Sequence, residues 1–272
     1  MSPDPITRPP TEVPAPRRTR LAVLAMAGLL TGGLALGAVS PAGALQDDVA
    51  PPESDRAEVD AVQDFDIDTV RARCLAAIDR RLDDLATASA RLAGVDVLPA
   101  DHLGSLESII GATESGLTEL APAIESAADA TELRTECGKI APDYRVYLVV
   151  LPQAHLTVGD ARVEAAVERG TDAIGQLDEA IAEAIQAGAD TAEAQQLRDQ
   201  AAAQLDAADT AGDGVAEAVL AVTPASWNDG PGAETLAAAR EDLQLARSSL
   251  HDARESLRAA VEALRDALGS VG

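Results

Sequence analysis

LAAAREDLQLARSSLHDARESLRAAVEALRDA, residues 236–267, returns to leucine every seven positions. Leu236, Leu243, Leu250, Leu257 and Leu264 form one row, and Ala239, Ala246, Ala253, Ala260 and Ala267 form a second, three residues behind it. In a helix of about 3.6 residues per turn, both rows fall on one face. The stripe is narrow, and its alanines let another helix approach closely. The sequence therefore predicts a long helix over 232–268 whose Leu/Ala face is a coiled-coil seam.

The same spacing of three and four extends upstream. Ile67, Val70, Cys74, Ile78, Leu82 and Leu85 make one row, broken between Gly94 and Pro99. Leu103, Leu106, Ile110, Thr113, Leu117, Leu120, Ile124 and Ala127 make the next. After a turn near Asp129–Thr131, the row Leu133, Cys137, Ile140, Tyr144, Tyr147, Leu151 continues past Pro152 to His155 and Val158, then through Val163 to Ile181. Pro142 and Pro152, which lack a donor and crowd the preceding turn, should each kink or locally break the helix, and continuity of the row across Pro152 predicts a kink there, giving one bent rod over 132–187. A further helix is expected over 191–222, and the segment Pro224–Gly232, with Trp227, reads as a loop.

These lengths predict an all-α fold, an elongated antiparallel helical bundle. Two three-helix bundles, 64–151 and 152–272, would share the long kinked helix. In such an up-down-up arrangement the first and third helices run parallel. Cys74 and Cys137 then stand at similar heights on inward rows, which predicts a disulfide; two buried free thiols are the alternative.

The first 44 residues read as an export signal. Arg17-Arg18-Thr19-Arg20 is a basic start, Leu21–Ser40 is uncharged, and Ala42-Gly43-Ala44 is a small-residue cleavage site. An uncleaved anchor is the rival reading, weakened by Gly28, Gly32, Gly33 and Gly37. Residues 45–63, acidic and without periodicity, read as a disordered linker. An even cysteine pair suits an oxidising destination, so a secreted or extracellular cell-envelope location is expected.

Charge and composition close off several functions. There are 21 basic and 46 acidic residues, for a net charge of −25. A nucleic-acid ligand or an anionic lipid surface would meet repulsion rather than clustered cations. One Phe, one Trp and two Tyr leave nothing to build a base-stacking platform. No nucleophile elbow, phosphate loop or dinucleotide fingerprint occurs. His102, His155 and His251 lie on three predicted helices without metal-ligand spacing, and Asp64, Asp66 and Asp68 lack the glycine and glutamate of a calcium loop. The expectation is no enzyme, no cofactor and no metal.

One segment departs from the Ala/Glu background. Residues 143–156, DYRVYLVVLPQAHL, collect both tyrosines, a β-branched run, Pro152 and His155. The segment reads as a junction between bundles; the functional alternative is a small-ligand pocket at the kink lined by Tyr144, Tyr147 and His155. With Arg73–Leu82 and Cys137, it resembles uncharacterised exported helical proteins of high-GC Gram-positive (actinobacterial) bacteria, over roughly residues 68–185. That resemblance implies a helical fold and an envelope setting, and it carries over no functional residue. The remaining expectation is a non-enzymatic spacer or scaffold, with a protein partner or self-association through the Leu/Ala helix.

Overall fold

The computed structural model describes residues 66–271; the expected signal segment 1–44 and linker 45–63 lie outside the described residues. Among the described residues every regular element is helical. Helix α1 (Ile67–Leu92) starts at Asp66, whose carboxylate accepts the Asp68 N–H and the Thr69 hydroxyl. An Asp at that position satisfies donors that the first helical turn leaves unpaired, which accounts for the aspartates better than a cation does. Helix α2 (Ala100–Ser126) returns antiparallel, and Arg71 of α1 ties down its end by donating to the Ile124 and Ala127 carbonyls. Asp129 then caps α3 (Ala130–Cys137) through the N–H groups of Thr131 and Glu132.

The rod expected over 132–187 is broken, and not at Pro152. Residues 138–144 form successive turns, and Arg145 adopts the left-handed conformation, φ 43° and ψ 38°. A wide π-turn, Val146–Val150, follows and leads directly into α4 (Leu151–Gln186). The physical reason lies in both prolines. Pro142 discourages helix at Ala141, and the π-turn ends just before Pro152, so that proline falls in the first turn of α4, where a missing donor costs little. Arg145 is held in its unusual conformation from outside. Its Nε donates to Asn228 Oδ1 at 2.6 Å, and Asn228 Nδ2 donates to the Pro142 carbonyl at 2.9 Å.

Downstream, α5 (Ala192–Gly212) runs antiparallel to α4, and Gly214, at φ 72°, turns the chain into the short α6 (Val215–Leu220). The Pro224–Gly232 segment is not an open loop. It holds a one-and-a-half-turn helix, α7 (Pro224–Asp229), started by Pro224 and by reciprocal Thr223–Ser226 hydrogen bonds. Such a capping box is a local signal that outweighs the turn-forming residues around it. Helix α8 (Gly232–Ser270) then runs parallel to α4 along its whole length.

Three apolar clusters result. The first joins α1 and α2 to Leu133, Ile140, Val146, Val150, Ala154 and Ala161. The second sets Val149, Leu156 and Val163 against α6 and the start of α8, and the third packs the far halves of α4, α5 and α8. The first two cores therefore lie on opposite flanks of the same stretch, residues 146–163. That stretch is buried from two sides.

Candidate functional site

The cysteines meet. Cys74 and Cys137 are bonded, with Cα atoms 5.8 Å apart, and they staple α1 to the end of α3. Beyond them the chain keeps running parallel to α1: Tyr147 reaches Asp84, and His155 lies within electrostatic reach of Arg91.

The Leu/Ala rows face inward. Leu236, Leu243, Leu257 and Leu264 are buried with Ala239, Ala246, Ala253 and Ala260, while Leu250 and Ala267 are half-buried. Their partners are α4, α5 and α6 of the same chain. Gly170 shows how closely the helices approach, because a Cβ there would lie 2.7 Å from Leu205 Cδ2. The surface of α8 left to a second chain is its outer side, which is mostly charged and also exposes Leu245.

Tyr144, Tyr147 and His155 do not converge on one groove. Tyr144 leans on α2, where its hydroxyl donates to the Gly116 carbonyl at 2.8 Å. Gly116 has no Cβ, and one built there would lie 2.5 Å from Tyr144 Cε1. Tyr147 turns to α1 instead: its hydroxyl donates to Asp84 at 2.8 Å, and the Arg81 guanidinium sits 5.1 Å from the ring centroid. Desolvation raises both phenol pKa values, helped for Tyr144 by the charge of Asp143 and for Tyr147 by the hydrogen bond to Asp84. Each hydroxyl is spent on holding a helix.

His155 was expected in the core row, but it is exposed. Desolvation by its neighbours, and secondarily the charge of Arg91, hold its pKa below the ordinary value. The register differs because the turns at 138–144 and the π-turn rotate α4 relative to α3. The true core row reads Val149, Gln153, Leu156, Asp160, Val163, Val167, Gly170, again in steps of four and three. Two of its members are polar, so no apolar pattern in the sequence marks it.

Those two members, with Thr157 beside them, define the candidate site. Gln153, Thr157 and Asp160 occupy successive turns of α4 and are 0%, 0% and 2% exposed. Gln153 Nε2 donates to the carbonyls of Val219 (2.9 Å) and Val222 (2.8 Å), at the C-terminal end of α6 and just after it. That assigns the amide orientation: the nitrogen must face the carbonyls, so Oε1 faces the other way. Among the described residues Gln153 Oε1, Thr157 Oγ1 and Asp160 Oδ1 have no hydrogen-bond partner. Three unpaired buried oxygens on one helix face are expensive, on the order of 1–3 kcal/mol each.

Among the described residues Asp160 is the titratable group shifted furthest. Its pKa is raised from 3.8 to about 6, first by burial and then by Glu164; the Ala216 N–H and His102 act in the opposite direction. His102, from the first turn of α2, comes within 3.7 Å of Glu217 on α6. The stripe thus lies where α2, α4 and α6 meet, at the joint between the first and second cores. Among the described residues no group of three or more His, Cys, Asp or Glu is arranged to hold a metal ion, and no helix is long and apolar enough to cross a membrane. Comparison with protein-family models, with curated proteins and with solved structures gave no match for this chain.

Proposed function

We propose that this chain is a secreted, non-enzymatic helical spacer or interaction scaffold at the cell envelope. The observation that carries the reading is where the apolar surface goes. Four of the five seam leucines are buried within the chain, a disulfide staples α1 to α3, and the exposed positions carry acids such as Glu107, Glu125, Glu183 and Glu241. A body of this kind keeps its shape without a partner and presents a charged, repulsive surface, as a spacer must. A disulfide persists outside the cytoplasm, which supports the export reading of residues 1–44.

A small-ligand pocket near Pro152 has less support. Tyr144 and Tyr147 face different helices, and both hydroxyls are already paired within the chain.

The test combines location and mass. The whole chain, fused to a reporter active only outside the cytoplasm, should give signal, and the exported protein should scatter light as a monomer. A silent reporter refutes the envelope role. A stable dimer refutes the self-contained scaffold and points to the outer face of α8 as an assembly surface.

A further inference from the structure

Thr157 breaks a pattern. Thr113, Thr118, Thr135, Thr171 and Thr235 each donate their hydroxyl to the carbonyl four residues earlier. That carbonyl is the ready local partner for a threonine inside a helix. Thr157 is 0% exposed and makes no such bond, so its hydroxyl is left for a partner outside the helix backbone. Gln153 Oε1 and Asp160 Oδ1, on either side of it along α4, are equally unpaired. The helix itself sets their spacing. At a rise of about 1.5 Å per residue, Gln153 lies about 6 Å from the level of Thr157, and Asp160 about 4.5 Å beyond it. A direct O–H···O bond spans only about 2.8 Å, whereas two in series through one water span about 5–6 Å.

Room exists beside the carboxyl. Gly212, at the buried end of α5, has no Cβ, and one built there would meet Asp160 Oδ1 at 3.4 Å and Val163 Cγ1 at 3.5 Å, both ordinary contacts. One atom of about that size therefore fits against Oδ1. We propose that Gln153, Thr157 and Asp160 form a binding site for buried water at the joint between the two cores. One molecule lies in the Gly212 cradle on Asp160 Oδ1, and Thr157 relays it to a second on Gln153 Oε1.

The donor count selects water. An amide oxygen and a carboxylate accept only, while the threonine hydroxyl both donates and accepts. Water brings two hydrogens and two lone pairs, and so supplies what each of the three lacks. The end of α5 offers the cradle water a further acceptor, because a helix leaves its last carbonyls without intrahelical partners. Glu164 and Glu217 near Asp160 make a cation the rival occupant. Calcium gathers about six to eight oxygens around one point, and magnesium demands an octahedron. The three oxygens here are strung along two turns of α4 instead, and among the described residues no cluster of acids, His or Cys is placed to complete a shell.

The experiment compares the whole disulfide-bonded chain with Thr157→Val and Gly212→Ala, by oxygen-17 relaxation dispersion of the solvent and by urea unfolding. Dispersion counts waters held longer than the protein tumbles, and each variant should lose at least one. Thr157→Val keeps the shape and removes the hydroxyl. With water bound it should lower the folding equilibrium constant about fivefold; with a dry, unpaired hydroxyl it would raise it by a similar factor. Gly212→Ala fills the cradle with a group that cannot replace the water's hydrogen bonds, and it should lose stability despite alanine's better helix propensity. If the variants fail to fold, a rotating-frame Overhauser effect between long-lived water and the Ala216 amide, which lies within reach of the Asp160 carboxyl, tests the wild type directly. Unchanged dispersion in both variants, stabilisation by Thr157→Val, or absence of that Overhauser effect would each overturn the proposal. So would stability that depends on sodium or potassium against choline at constant ionic strength, since a cation would then hold the site.

Discussion

Replacing Gly170 with alanine adds one methyl group where α4 and α5 touch. In isolation the change favours the helix, because glycine within a helix is about 1 kcal/mol less favourable than alanine. Here the new Cβ would stand 2.7 and 2.8 Å from the two methyls of Leu205, against 3.4–4 Å for ordinary contact. Leu205 is 4% exposed and has little room to withdraw. Overpacking of this kind costs about 1–3 kcal/mol, so the sum is a net loss on the order of 1 kcal/mol. Gly175, a turn and a half further along the same helix, is exposed, and a Cβ there meets nothing within 4 Å. Gly175→Ala should therefore gain about 0.5–1 kcal/mol. The assay is urea denaturation followed by far-UV circular dichroism, with both variants at one pH. The two should move in opposite directions, separated by roughly 2 kcal/mol. A cycle with Leu205→Ala sharpens the test, since the alanine at 170 should become favourable once Leu205 is truncated. Stabilisation by Gly170→Ala with Leu205 intact would mean that α4 and α5 do not pack in this register.

Other perturbations probe separate parts of the structure. Reducing the Cys74–Cys137 bond, which closes a separation of 63 residues, should cost about 4 kcal/mol in the chain-entropy description and lower the thermal midpoint. Tyr144→Phe should cost about 1 kcal/mol by leaving the Gly116 carbonyl without its donor, with helicity unchanged by circular dichroism. Asn228→Ala removes the partner of both Arg145 Nε and the Pro142 carbonyl; amide exchange should quicken across 142–150 while the far end of α4 stays protected.

Much of the architecture was legible because it repeats. In α1, α2 and α8 one apolar row meets one neighbouring layer, so position along the chain maps directly to burial: Ile78, Leu117 and Leu243 follow from spacing alone. The cysteine pair followed from the same logic, since parallel helices of known starting points place Cys74 and Cys137 at one height. The segment 138–160 resisted this reading for an equally physical cause. A left-handed Arg145 and a π-turn each shift the helical phase, so extrapolating the α3 row through Pro152 placed His155 inside and overlooked Gln153 and Asp160. Nothing local marks Arg145 for positive φ. Its conformation is held by Asn228, a residue 83 positions away.

Heptad spacing, small residues at the contacts and scarce aromatics determined by themselves that this protein is a set of long helices packed on narrow seams, because periodicity of burial is a property of the local chain. Which helices share which seam was decided only by tertiary structure. So was the inward turn of the Leu/Ala rows, and so was the placing of a carboxylic acid in the joint between two cores. A helix face does not encode its partner, and a residue's ionisation is set by neighbours that the fold brings together.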